Sequence, residues 1–106
     1  MTKASSNPPR HYEKFKQTYP LLSEAYEQLG AACHDAGPLD RKTRELVKLG
    51  LAIGAGLEGA THAHARLARE ADASPEEIRH AVVLSTTSLG FSAMMRAMSW
   101  VDDVLK

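Results

Sequence analysis

LDRKTRELVKLGLAIGAGLEGATHAHARLAREADASPEEIRHAVV, residues 39–83, contains three helix-period segments and the punctuation that separates them. Asp40 suits the cap of a helix through RKTRELVKLGLAI, and the cluster Gly54-Ala55-Gly56 ends it. A further helix is expected over about residues 57–72. Ser74-Pro75-Glu76-Glu77 then offers a capping box with proline in the first turn, opening a helix through EEIRHAVVLSTTS. Outward from this run, PLLSEAYEQLGAACHDAG begins with Pro20 and stops at Gly37-Pro38, while Gly90 precedes a last helix in FSAMMRAMSWVDDVLK. No segment alternates with the period of two that a strand requires. The sequence therefore predicts an all-α protein, a compact bundle of about five helices. A single domain is expected over residues 11–106, behind a flexible polar lead-in at 1–10 that contains Pro8-Pro9.

The chain of 106 residues is 43% hydrophobic, enough for one core and too short for a second. Catalysis in so small a domain needs a shallow site or one shared between subunits. Thirteen Lys and Arg balance thirteen Asp and Glu. The largest basic patch is Arg41-Lys42-Thr43-Arg44, too small to mark a nucleic-acid or anionic-membrane surface. A lone cysteine, Cys33, leaves no intrachain disulfide to form and fits a reducing compartment. MTKASSNPPR lacks the apolar run of a signal peptide, and LGLAIGAGL is too short to span a bilayer. The expected location is the cytoplasm.

Each residue of an α-helix is turned about 100° from the last, which assigns faces. In the segment after Gly56, Ala60, Ala63, Leu67, Ala68 and Ala71 share an arc that also holds His64. His62 falls on the opposite side with Glu58, Arg66 and Arg69, and is expected to pair with Glu58 one turn earlier. Two histidines at this spacing do not converge on a metal as an i, i+4 pair does, so no metal or cofactor is assigned. An imidazole on an apolar face needs a partner or a cleft. In the preceding segment Leu46, Leu49, Gly50 and Ile53 centre the apolar arc, Val47 and Leu51 widen it, and Ala52 lies opposite. Glu45 stands at its edge, able to pair with Lys42 or Lys48 or to meet His64. A Glu–His couple of that kind suits general acid/base chemistry.

His80 points outward and is given no role, and His11 and His34 have no constellation around them. The hydroxyls of Ser85, Thr86 and Thr87 are expected to bond the preceding turn. In the last segment Phe91, Met94, Met98, Val101 and Leu105 form a core stripe, leaving Met95 and Trp100 for a subunit contact. Cys33 is expected to be a small buried hydrophobe.

Arg44-Glu45-Leu46-Val47, the spacing Gly-x-Glu-Gly-x-x-x-x-His over residues 56–64, and the following Ala-Ser-Pro-Glu-Glu-Ile resemble the carboxymuconolactone decarboxylase family, which includes the alkylhydroperoxidase D-like branch. The resemblance covers about residues 39–84 and implies a trimer or hexamer with its site near subunit contacts. The peroxidase branch has a Glu, a Cys-x-x-Cys beginning twelve residues later, and a His four beyond the second cysteine. Glu45 and His64 match its Glu and His, but the cysteine positions hold Leu57 and Ala60, and the branch's additional histidine is replaced by Gly59. Thiol-based peroxide reduction needs both the attacking and the resolving sulfur, so peroxidase activity is disfavoured.

The decarboxylase branch keeps the histidine without the cysteines. Its chemistry implies loss of carbon dioxide from a carboxylated unsaturated lactone, with His64 protonating the dienolate and Glu45 orienting the ring. Leu57, Ala60 and His62 are the expected substrate-lining positions, and Arg41 or Arg44 of a neighbouring subunit is the candidate for a substrate carboxylate. Two departures from that branch are Leu89-Gly90-Phe91-Ser92 where a glycine–proline turn is expected, and the lack of an inward arginine. The sequence thus points to a lyase acting on a small organic acid or lactone, with an oligomeric binding or scaffold protein as the alternative.

Overall fold

The computed structural model describes residues 10–106, and the lead-in expected at 1–10 lies outside them except for Arg10, which opens the first helix. The described residues form seven helices and no strand: α1 (Arg10–Thr18), α2 (Pro20–Asp35), α3 (Arg41–Ala55), α4 (Glu58–Glu70), α5 (Pro75–Val83), α6 (Thr86–Leu89) and α7 (Phe91–Leu105). The all-α expectation holds, with two more helices than the sequence suggested. One is α1. The other arises because the segment after Ser74 divides: Ser85 Oγ donates to Val82 O at 2.6 Å and Thr86 Oγ1 to Val83 O at 2.7 Å. Hydroxyls that bond the preceding turn compete with the helix ladder, and the chain restarts as α6.

Residues up to Leu39 belong to one compact unit and Asp40–Lys106 to another. In the first, α1 and α2 pack together, with Phe15 and Tyr19 rings 5.6 Å apart and Tyr12 donating to Glu27. The only buried residue of α2 is Ser23. Its apolar residues Leu22, Tyr26 and Leu29 are exposed, and so is Cys33, against the expectation that it is buried. The expectation fails because α1 covers the Ser23 side of α2, leaving the apolar side of the helix open.

In the second unit α4 packs against both α3 and α7, and α5 against α3 and α7. The core is Leu49, Ile53, Ala65, Ala68, Ala73, Ile78, Val82, Met94, Ala97 and Val101. Boundary chemistry follows the sequence closely. Asp40 accepts from the Thr43 N–H at 2.8 Å, and Ser74 and Glu77 form the reciprocal capping box. At the end of α3, Gly56 adopts φ 70°, with its N–H donating to Ile53 O and that of Leu57 to Ala52 O. These are the two bonds of a Schellman stop, and the left-handed residue favours glycine. The same pair closes α4, where Asp72 takes φ 70°.

Helix faces are rotated from the sequence reading. On α3 the buried residues are Glu45, Leu49, Ala52 and Ile53, while Val47, Gly50 and Leu51 are exposed. The apolar arc is wider than one packing partner, and α4 covers the side holding Glu45 and Ala52. On α4 the buried line is Thr61, Ala65 and Ala68, with Ala60, Ala63, His64 and Leu67 half-buried beside it. On α7, Met94, Ala97 and Val101 are buried, Met98 and Leu105 lie partly against them, and Phe91 is 64% exposed because it begins the helix, beyond the packed surface.

Candidate functional site

Gly56 and Leu57 turn the chain from α3 directly into α4, a two-residue link that folds the second helix back on the first. Side chains 19 positions apart then meet across the pair. His64 Nδ1 lies 2.9 Å from Glu45 Oε1, where the imidazole N–H donates to the carboxylate. Glu45 is 4% exposed and the His64 side chain 20%. A carboxylate so deeply buried is costly unless it is met by donors, and His64 supplies one. With Nδ1 committed to the carboxylate, Nε2 is the ring nitrogen left for proton exchange with another molecule. A fixed tautomer, an orienting acid and a partly exposed ring edge are what general acid/base chemistry asks of a side chain.

The other named positions surround this pair unequally. Leu57 caps α4 with extended backbone and no side-chain cap bond, is 54% exposed, and accepts at its carbonyl from Thr61 Oγ1 at 2.7 Å. Ala60 is half-buried. His62 departs from expectation. Its Nε2 lies 3.4 Å from Asp103 Oδ2 of α7 and not against Glu58, because α7 packs along that flank of α4. No hydrogen bond forms at this buried nitrogen, so the contact is electrostatic when the ring is charged. No sequence signal links positions 62 and 103.

Cationic groups sit at the periphery. Arg41 reaches Glu70 at 3.7 Å and Lys42 reaches Glu77 at 3.0 Å. Arg96 stacks 5.1 Å over the Trp100 ring, which is therefore half-buried and not free for a subunit contact through that face. Met95 remains 49% exposed. Among the described residues no group of three or more His, Cys, Asp and Glu could hold a metal ion, and no helix is long and apolar enough to cross a membrane.

Away from the Glu45 face of α3, a groove of about 480 Å³ lies between α3, α5 and α6. Val47, Gly50, Gly54, Leu84 and Leu89 line it, with Glu77 and His80 among its polar residues. Neither Glu45 nor His64 contributes.

The chain is 36% identical over 61 residues to an uncharacterised protein of Haemophilus influenzae, a match covering 58% of this chain and 54% of that protein. The aligned stretch thus spans about half of that relative. No solved structure matches. The Glu–His pair, the Gly56 turn and the capped α5 all fall inside residues 20–103, which match the family model for carboxymuconolactone decarboxylases, and the chain belongs to that family.

Proposed function

We propose that the protein is a self-assembling acid/base enzyme of the decarboxylase or isomerase kind, acting on a small organic acid or lactone. The observation that carries this reading is the 2.9 Å contact between the buried Glu45 and the partly exposed His64. In a decarboxylation, loss of carbon dioxide leaves the bonding electrons in a dienolate. His64 Nε2, when protonated, delivers a proton to that carbon, and Glu45 faces the imidazolium before transfer and holds the ring afterwards. Leu57, Ala60 and His62 flank the substrate in this scheme. A trimer or hexamer is the assembly proposed, bringing Arg41 or Arg44 of a neighbouring subunit to a substrate carboxylate. Peroxide reduction is disfavoured, since the two positions that would carry thiols are Leu57 and Ala60.

The test is carbon dioxide release from a panel of carboxylated lactones and β-keto acids. His64→Ala should lower kcat by about 100-fold or more. Glu45→Gln should lower kcat while leaving KM near its original value and altering the pH profile, because Glu45 acts through the ring. Unchanged turnover in His64→Ala would remove the assignment.

A further inference from the structure

Arg96 of α7 reaches the turn between α3 and α4. Its Nη2 lies 3.5 Å from the position that a Cβ on Gly56 would take. The guanidinium also stacks over the half-buried Trp100 ring, 5.1 Å from the centroid. Stacking occupies the face of the guanidinium, holds its plane, and leaves the N–H groups around its edge available to a planar carboxylate. Among the described residues the side chain of Arg96 makes no hydrogen bond or ion pair.

Other arginines of the Asp40–Lys106 unit are engaged or face elsewhere. Arg41 meets Glu70, Arg79 meets Asp102, and Arg69 donates to the Ala73 carbonyl. Arg44 is engaged as well. Arg66, two residues from His64, is turned about 200° from it round α4.

Gly56 directly precedes Leu57, and positions 57, 60 and 64 fall within about 60° of one another round α4. Arg96 therefore stands at one end of this strip and His64 at the other. About 10 Å of helix rise separates positions 57 and 64, and a helical side chain leans toward the N-terminus, so the imidazole closes part of the gap. A molecule with a carboxylate about 6–8 Å from its reacting carbon spans what remains. In the proposed reaction His64 protonates the carbon that carbon dioxide has just left, which puts the leaving carboxylate at the His64 end. A cation clamped on that group would stabilise the ground state and oppose its loss. At the far end, Arg96 is placed for a carboxylate that the product keeps.

We infer that Arg96, held by Trp100, binds the retained carboxylate of a dicarboxylic substrate. This rests on the acid/base reading above and narrows its substrate class to acids that carry a second carboxylate. No neighbouring subunit is needed for the contact.

The test uses the full chain and titration calorimetry with adipate, which carries two carboxylates and nothing that activates the loss of either. Wild type should bind it, and Arg96→Gln should bind it about 10-fold or more weakly. Arg66→Gln, which removes an unpaired cation elsewhere, should bind as wild type does. Neither arginine is buried, so circular dichroism should show full helicity in both variants. If Arg96→Gln loses helicity, Arg96→Lys replaces it, keeping the stem and the charge but not the fork. Equal affinity in wild type and the position-96 variant overturns the inference. Equal weakening by Arg66→Gln also overturns it, since that marks a general loss of positive charge, and so does a wild type that binds no adipate at millimolar concentration. On a substrate that turns over, Arg96→Gln should raise KM with kcat nearly unchanged, and a KM difference that survives esterification of the retained carboxylate overturns the assignment. Binding needs no turnover. Unchanged kcat in His64→Ala would therefore fail the acid/base reading alone, and unchanged adipate affinity in Arg96→Gln would fail this one alone.

Discussion

Gly56 and Asp72 occupy the same left-handed conformation at φ 70° and close successive helices with the same pair of bonds. Only the first is a glycine. A side chain in this region costs about 1–2 kcal/mol, so Gly56→Ala should destabilise by that amount. A Cβ there lies 3.5 Å from an Arg96 guanidinium nitrogen, an ordinary contact, so the cost is conformational and not steric. Asp72→Gly removes the corresponding strain and should be neutral or stabilising by up to about 1 kcal/mol. Urea denaturation of both variants checks the opposed signs. At this scale the site itself was half legible. Glu45 and His64 could be nominated from spacing and family likeness, but an edge carboxylate had two other partners within reach, Lys42 and Lys48. Packing α4 on the Glu45 side of α3 is what brings His64 to it.

Helix ends are where the sequence spoke most clearly, because caps are local and need no tertiary partner. Asp40 and Ser74 cap as their positions predict, and Glu77 adds a reciprocal bond and an ion pair with Lys42. The Thr43 hydrogen bonds hold the Asp40 carboxyl below its ordinary value, and the Ser74 N–H followed by Lys42 does the same for Glu77. A depressed folded value means stability is present above the unfolded values of 3.8 and 4.5 and is lost as pH falls through the lower folded ones. Thermal unfolding followed from neutral pH into that acid range should show a declining Tm, and Asp40→Asn with Glu77→Gln should shallow the decline. An unchanged acid limb in that double variant would assign the loss to other groups. Helix division after Val83 was not legible, because it depends on which carbonyls the Ser85 and Thr86 hydroxyls take.

For the Asp40–Lys106 unit as a whole, the fully buried residues are few and mostly small or β-branched. Leu49, Ile78, Val82 and Val101 are the largest fully buried apolar side chains. Ile78→Ala should therefore cost about 2–5 kcal/mol, a large share of the roughly 5–15 kcal/mol typical of a domain. The expected result in urea is a lower midpoint with little change in slope. Large apolar side chains remain exposed in this unit on α3, α6 and α7, among them Leu51, Leu89 and Phe91.

Composition, capping and periodicity by themselves determined that the chain is helical, where α3, α4 and α5 begin, and that no thiol pair stands near His64. These properties are local, or follow from counting residue types. The tertiary structure alone decided which half of the wide α3 arc faces inward, that His62 meets Asp103, and that α1 leaves the apolar side of α2 uncovered. Such choices depend on which helix packs against which flank, and a periodic arc wider than one partner leaves that choice to the packing.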